Sequence, residues 1–250
     1  TTGIVPSELK IARVIPLFKS GDQAFFVNYR PVSVLPVFSK FLEKVIYKRL
    51  YSYLLKYNLL FDNQYGFRKS HSTSLALIHL YDKLSCAIDN NEFTMGVFID
   101  LSKAFDTVDH QILLAKLNHY GVRGTLLKWF ESYLSGRKQF VNFNSHSSSQ
   151  MLVKCGVPQG SVLGPLLFLI YINDLCNVSN ALDLLLFADD TSIFFSHKDP
   201  NILSTIVNNA LKLMEDWFSA NKLSINVKKS NYMIFRPRQK RQNLDFKISL

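Results

Sequence analysis

At 250 residues the chain can bury a substantial core, as one large domain or two modest ones. Its 48% hydrophobic and 13% aromatic content places it among folded proteins and excludes a disordered chain. With 29 basic residues against 19 acidic ones the net charge is +10, which favours a polyanionic partner, nucleic acid before an acidic membrane. The three cysteines, Cys86, Cys155 and Cys176, are widely spaced, with no CxxC pair and no Cys/His metal spacing. They support neither a disulfide framework nor a zinc site, and a reducing, intracellular setting is expected. The longest apolar run, Val162 to Ile172, contains Gly164-Pro165 and is too short to span a bilayer. No signal peptide is visible, and a chain opening on Thr1 reads as excised from a longer polypeptide.

In chain order, Leu9 to Phe18 is an extended apolar-basic stretch ended by Ser20-Gly21-Asp22. Phe38, Phe41, Leu42, Val45, Ile46, Leu50, Tyr53 and Leu54 recur at helical spacing, with Lys40, Lys44, Lys48 and Arg49 largely on the other side. A second helix is predicted from Ser74 to Asp89. Val97-Phe98-Ile99 reads as a buried strand ending in Asp100. Asp109 is placed to cap a helix ending at Gly121, and Thr125 another ending near Gly136. Residues 138–155 suggest a β-hairpin around Ser145–Ser149, and a helix follows from about Val162 to Leu175 with Pro165 in its first turn. A helix from Asn201 to Asn221 and a strand from Tyr232 to Phe235 complete the pattern, which argues for an α+β fold.

Phe187-Ala188-Asp189-Asp190 is the most informative stretch. Apolar runs on both sides, Leu184-Leu185-Leu186 and Ile193-Phe194-Phe195, predict a β-hairpin whose tip carries two carboxylates. Buried charge of one sign is costly unless a cation meets it, and a divalent metal with oxygen ligands is the natural one. If the strand ending at Asp100 neighbours this hairpin, three carboxylates converge on one point. Two-metal phosphoryl transfer needs such acids, holding ions roughly 3.5–4 Å apart. The competing reading makes Asp100 a helix cap and Asp189-Asp190 ordinary turn residues. No P-loop pattern occurs, which disfavours a Walker-type ATPase.

Phe98-Ile99-Asp100-Leu101-Ser102-Lys103-Ala104-Phe105-Asp106 resembles the first palm motif of reverse transcriptases. Gly156-Val157-Pro158-Gln159-Gly160-Ser161-Val162-Leu163-Gly164-Pro165 resembles the motif between the two acidic ones, and Phe187-Ala188-Asp189-Asp190 the aromatic-X-Asp-Asp signature. The tetrapeptide alone is weak, whereas the ordered set is highly specific. Upstream, residues 10–19, Asn28-Tyr29-Arg30-Pro31-Val32-Ser33, and Tyr65-Gly66-Phe67-Arg68 with His71-Ser72-Thr73 are similar to motifs of the non-LTR retrotransposon group, jockey-like and related LINE elements. The similarity runs from about Gly3 to Phe235.

That resemblance implies a right-hand polymerase: helix-rich fingers over 1–95, then an antiparallel palm sheet backed by helices over 96–250, with a finger insertion around 110–155 and no thumb after Phe235. It implies an RNA-directed DNA polymerase that extends a DNA primer 3′-hydroxyl on an RNA template with dNTPs and two Mg²⁺ ions, Mn²⁺ being an alternative. Asp100, Asp189 and Asp190, with the backbone carbonyl of Leu101, would hold the metals. Phe105 would sit under the sugar as a steric gate against a ribose 2′-hydroxyl, the competing reading being a core aromatic. Gln159 and Gly160 would meet the incoming nucleotide and templating base, with the following helix N-terminus favouring phosphate, and Lys19 and Arg30 would touch the triphosphate. Lys229 would protonate the leaving pyrophosphate, although adjacent Lys228 leaves the register open by one residue. Arg68 and Lys69 would grip RNA backbone, and Arg236, Arg238, Lys240 and Arg241 either contact primer or template or form a solvated linker. No membrane role is implied; other domains of a longer polyprotein are, and so is a nuclear and cytoplasmic ribonucleoprotein setting. The alternative in a different class is a catalytically silent nucleic-acid-binding domain derived from a retroelement, yet every assignable catalytic position is filled.

Overall fold

The computed structural model describes residues 2–179 and 182–240. The first half of the chain runs β1 (Ile11–Phe18), β2 (Tyr29–Val34), α1 (Val37–Lys56), α2 (Thr73–Asp89), β3 (Phe93–Ile99), α3 (Ala104–Thr107), α4 (His110–His119) and α5 (Gly124–Leu134). It continues through β4 (Lys138–Phe143), β5 (His146–Ser147), β6 (Met151–Leu152), α6 (Gly164–Ile172), β7 (Asp183–Phe187), β8 (Asp190–His197), α7 (Pro200–Ala220) and β9 (Asn231–Phe235). Two compact units result: Thr1–Leu59 with Phe105–Tyr171, and Leu60–Ala104 with Ile172–Leu250. The fingers–palm boundary expected near residue 95 falls inside β3.

The first unit is built on a sheet of order β2-β1-β4-β5, with β6 also on β4. β1 and β2 are antiparallel, Leu17 opposite Arg30, whereas β1 and β4 run parallel. The hairpin expected over 138–155 forms, and its tip is Asn144-Ser145 with φ of 46° and 66°. Two positive φ values give the turn whose twist suits a two-residue hairpin. α6 is apolar all round and Leu166 to Ile172 are each at most 1% exposed, as expected of a core helix.

α1 departs from its sequence pattern. Phe38, Phe41 and Val45 are exposed, while Ser39 and Glu43 on the neighbouring face are buried. The reason lies in Glu43, whose carboxylate is needed inside. It accepts from the amides of Val162 (2.6 Å) and Leu163 (3.3 Å), from the Tyr133 hydroxyl (3.0 Å) and from Ser39 Oγ (3.4 Å). The Arg137 guanidinium lies over the Tyr133 ring, itself buried. Burial first, and the Glu43 charge second, push the Tyr133 hydroxyl far above its ordinary range, so it remains a donor. Glu43→Ala would strand two amides and two hydroxyls. We expect a loss of about 3–5 kcal/mol in chemical denaturation.

The second unit carries the sheet β7-β8-β3-β9, antiparallel throughout. α7 packs on β8 and β3 with Leu203, Val207, Ala210, Leu211, Met214 and Phe218 buried at helical spacing. Asp199 caps it by accepting from the amides of Asn201 and Ile202. Ser72 caps α2 and Asp109 caps α4 in the same way, but Thr125 lies inside the first turn of α5, whose N-cap is Arg123 with no side-chain cap bond. Among the described residues no helix is long and apolar enough to cross a membrane.

Candidate active site

In the second unit β3 ends at Ile99, opposite Thr191 of β8, so Asp100 and Asp190 leave neighbouring strands at the same end. Both acids line a cleft of about 320 Å³ together with Phe98, Ile99, Thr191, Ser192 and Lys229. The acidic turn is set one residue earlier than the sequence suggests. Its two central residues are Ala188 and Asp189, and Asp190 already belongs to β8, paired with Phe187. Ala188 has φ 58°, where glycine is the usual occupant. This strain sits beside the acids, a common place for it.

Burial raises the Asp189 carboxyl above its ordinary range; a backbone hydrogen bond opposes this, and the charges of Asp190 and Asp100 add to it. Asp190 is raised too, by burial and then by Asp100. The three acids therefore feel one another. The expected convergence of three carboxylates is only partly met, because among the described residues they form no ready-made three-ligand cluster. The donor set nevertheless suits a hard divalent ion, being all carboxylate oxygen with charge in excess.

Asp100 is fixed from β9's approach. Asn226 Nδ2 donates to Asp100 Oδ2 (2.9 Å), and the Asn226 amide donates to the Asp100 carbonyl (2.8 Å). Ser230 Oγ accepts from the Asp100 amide (3.2 Å) and donates to the Asn226 carbonyl (3.0 Å). Leu101 is buried and bridges Ile225. Of the two adjacent lysines, Lys229 lines the cleft, with its Nζ 3.9 Å from Asp100 Oδ2. Asn226 and Ser230 carry no local signal of this role, because their partner Asp100 lies 126 and 130 residues away in the chain.

The segment before Arg68 also serves the acidic turn. Residues 63–66 run beside β7, with the Tyr65 amide donating to the Leu186 carbonyl (2.7 Å) and the Leu186 amide to the Asn63 carbonyl (2.9 Å). A Cβ on Gly66 would fall 2.2 Å from the Ala188 nitrogen, so only glycine permits this approach. Arg68 Nη1 donates to the carbonyls of Phe61 (2.6 Å) and Asp62 (3.4 Å), fastening its own loop, while Lys69 is exposed. Lys240 Nζ donates to the Asn91 carbonyl (2.7 Å), and Arg241 lies outside the described residues.

The nucleotide-side candidates lie in the first unit. Lys19 follows β1 and Arg30 lies on β2; both are exposed. Gln159 is held twice: its carbonyl accepts from the Ser33 amide (2.7 Å) and its Nε2 donates to Asp106 Oδ1 (2.9 Å). Gly160 has φ 112°, and a Cβ there would meet the Ser33 carbonyl oxygen at 2.6 Å. Phe105 stacks on Phe168 at 4.5 Å between centroids and is half-buried. The expectation that the α6 N-terminus favours phosphate is corrected. Its leading amides are taken by Glu43 at Val162 and Leu163, and by Ser161 Oγ at Gly164 (2.9 Å).

The family model described as reverse transcriptase (RNA-dependent DNA polymerase) matches residues 19–247. The chain is 32% identical over 239 residues to a probable RNA-directed DNA polymerase from transposon BS of Drosophila melanogaster, covering 90% of this chain and 26% of that protein. It is 30% identical over 244 residues to the RNA-directed DNA polymerase from mobile element jockey of the same organism, covering 94% and 26%. The chain thus spans about a quarter of the length of these relatives. Among solved structures it is similar to a telomerase from Candida tropicalis, with TM-score 0.62 and 14% identity over 92% of this chain and 42% of that one. At that identity the likeness shows a shared fold.

Proposed function

The chain belongs to the reverse transcriptase family, and from that premise we propose that it carries the nucleotidyl-transfer centre of an RNA-directed DNA polymerase within a longer polyprotein. The observation that carries this reading is the placement of Asp100 and Asp190 at one end of paired strands, facing one cleft, with Asp189 in the adjoining turn. The substrates would be an RNA template, a DNA primer and dNTPs. Asp100, Asp189 and Asp190, with the carbonyl of Leu101, would hold divalent metal, Mg²⁺ or Mn²⁺. When bound, the metal lowers the pKa of an attacking hydroxyl and neutralises charge on the phosphoryl group and leaving pyrophosphate.

The protein's own groups do the rest. Asn226 and Ser230 keep Asp100 oriented, and Lys229 brings a proton donor to the same cleft. Gln159, braced by Ser33 and Asp106, would present its side to the incoming nucleotide, and Lys19 and Arg30 would meet the triphosphate. Phe105, backed by Phe168, would exclude a 2′-hydroxyl. Phe105→Ala is expected to cut the preference for dNTP over rNTP, measured as a ratio of kcat/KM, by about 100-fold.

The test is deoxynucleotide incorporation on an RNA template with a DNA primer, in Mg²⁺, in Mn²⁺ and with chelator. Extension that requires template and metal supports the proposal. Template binding without extension, in this chain and in its longer parent protein, would favour the silent nucleic-acid-binding alternative.

A further inference from the structure

We propose that Gln64 is a positioning residue, a side-chain clamp that sets the backbone of the acidic turn. The assignment rests on the polymerase reading above. Gln64 is 3% exposed, and its amide meets three backbone groups. Oε1 accepts from the Ala188 amide (2.9 Å) and from the Gly66 amide (2.8 Å), and Nε2 donates to the Ala188 carbonyl (3.3 Å). One side chain therefore closes on both polar groups of Ala188, as a paired strand residue would.

The turn needs such a clamp for two reasons. Ala188 is held at φ 58°, which an L-residue leaves unless its surroundings over-determine it. It also sits between β7 and Asp189, so a rotation at Ala188 swings the Asp189 carboxylate directly. The β7–β8 ladder cannot supply these bonds, because the two central residues of a hairpin turn lie beyond its last rung. Packing from Gly66 closes the space below, and the Tyr65 and Leu186 amides fix the register of the clamp along β7. A buried amide serving three backbone groups is replaceable by no apolar side chain without stranding all of them.

The experiment compares wild type with Gln64→Met, which matches length and loses every bond. Amide hydrogen exchange of the peptide covering 184–190 is read beside peptides from β3 and α7, the melting temperature, and steady-state incorporation. The expected result is exchange at the turn at least about tenfold faster, with β3 and α7 unchanged. Turnover kcat should fall about 10–100-fold with the dNTP KM within about twofold, and half-saturating Mg²⁺ should rise. Gln64→Glu keeps the acceptor and loses the donor, so it should fall between the two; it carries the test if the methionine variant does not fold. Unchanged turn exchange would overturn the clamp. Faster exchange with unchanged kcat would overturn the positioning role and leave a structural one. Failure to polymerise by the wild-type chain and by its longer parent protein would refute the polymerase reading, and the exchange arm would still decide whether the clamp exists.

Discussion

Asp189→Asn should lose incorporation by at least about 100-fold while the protein becomes more stable. The first half follows from metal chemistry: removing a supporting group already costs about 10–100-fold in such sites, and a ligand should cost more. The second half follows from charge. Asp189 is held above the ordinary carboxylate value of 3.8, by burial first and by its acidic neighbours after a partly offsetting backbone bond. A folded-state pKa above the unfolded one gives stability that is full below the unfolded value and is lost as pH rises through the folded value. At neutral pH the ionised group therefore opposes folding, and asparagine removes that opposition. Melting curves from pH 4 to 7 should show the variant's advantage widening with pH. Added Mg²⁺ should narrow it, because the cation relieves the wild type's repulsion and has less to relieve in the variant. A variant less stable than wild type at pH 7 would contradict the charge argument, whatever its activity.

Gly66→Ala is expected to damage both folding and turnover. A methyl group there would lie 2.2 Å from the Ala188 nitrogen and 2.9 Å from the Ala188 Cα and the Phe187 carbonyl carbon, all backbone. Backbone in a paired hairpin cannot step aside as a flexible side chain can, so the turn and residues 63–66 must separate. Overpacking of this kind costs about 1–3 kcal/mol, and the rigid neighbours put this case near the upper end. For a chain of this size that is a fall of about 6–12 °C in Tm. Loss of turnover should exceed what the fraction unfolded explains, since the displaced atoms flank Asp189. A variant that melts and polymerises like wild type would mean that residues 63–66 do not hold the turn.

Local rules served where a single segment decides. Ser72, Asp109 and Asp199 cap helices because their side chains answer amides two or three residues away, and β3 and β8 are apolar enough to be read directly. The acidic pair, its flanking strands and Asp100 were visible for the same reason. Residues acting across long separations were not. Glu43 carries no local signal of burial, which depends on amides 119 and 120 residues away. Gln64 stood one residue before a recognised motif, and its partner lies 124 residues on. Thr125 satisfied a capping pattern, but the helix begins earlier and its N-cap is Arg123, two residues before it. Periodicity failed for α1 because a buried carboxylate outweighed the apolar stripe beside it.

The chain order of the second sheet bears on how the protein comes off the ribosome. β3 and Asp100 emerge early, but both neighbours of β3, β8 and β9, lie beyond residue 189. Until they are translated, an apolar strand with two open edges waits with nothing to pair with. The carboxylates can meet only after the first unit's hairpins and α6 have been made, and Asn226 and Ser230 reach Asp100 later still. The acidic centre is thus a late product of synthesis, and a nascent chain halted before β9 should be an aggregation-prone client of chaperones rather than a slow enzyme.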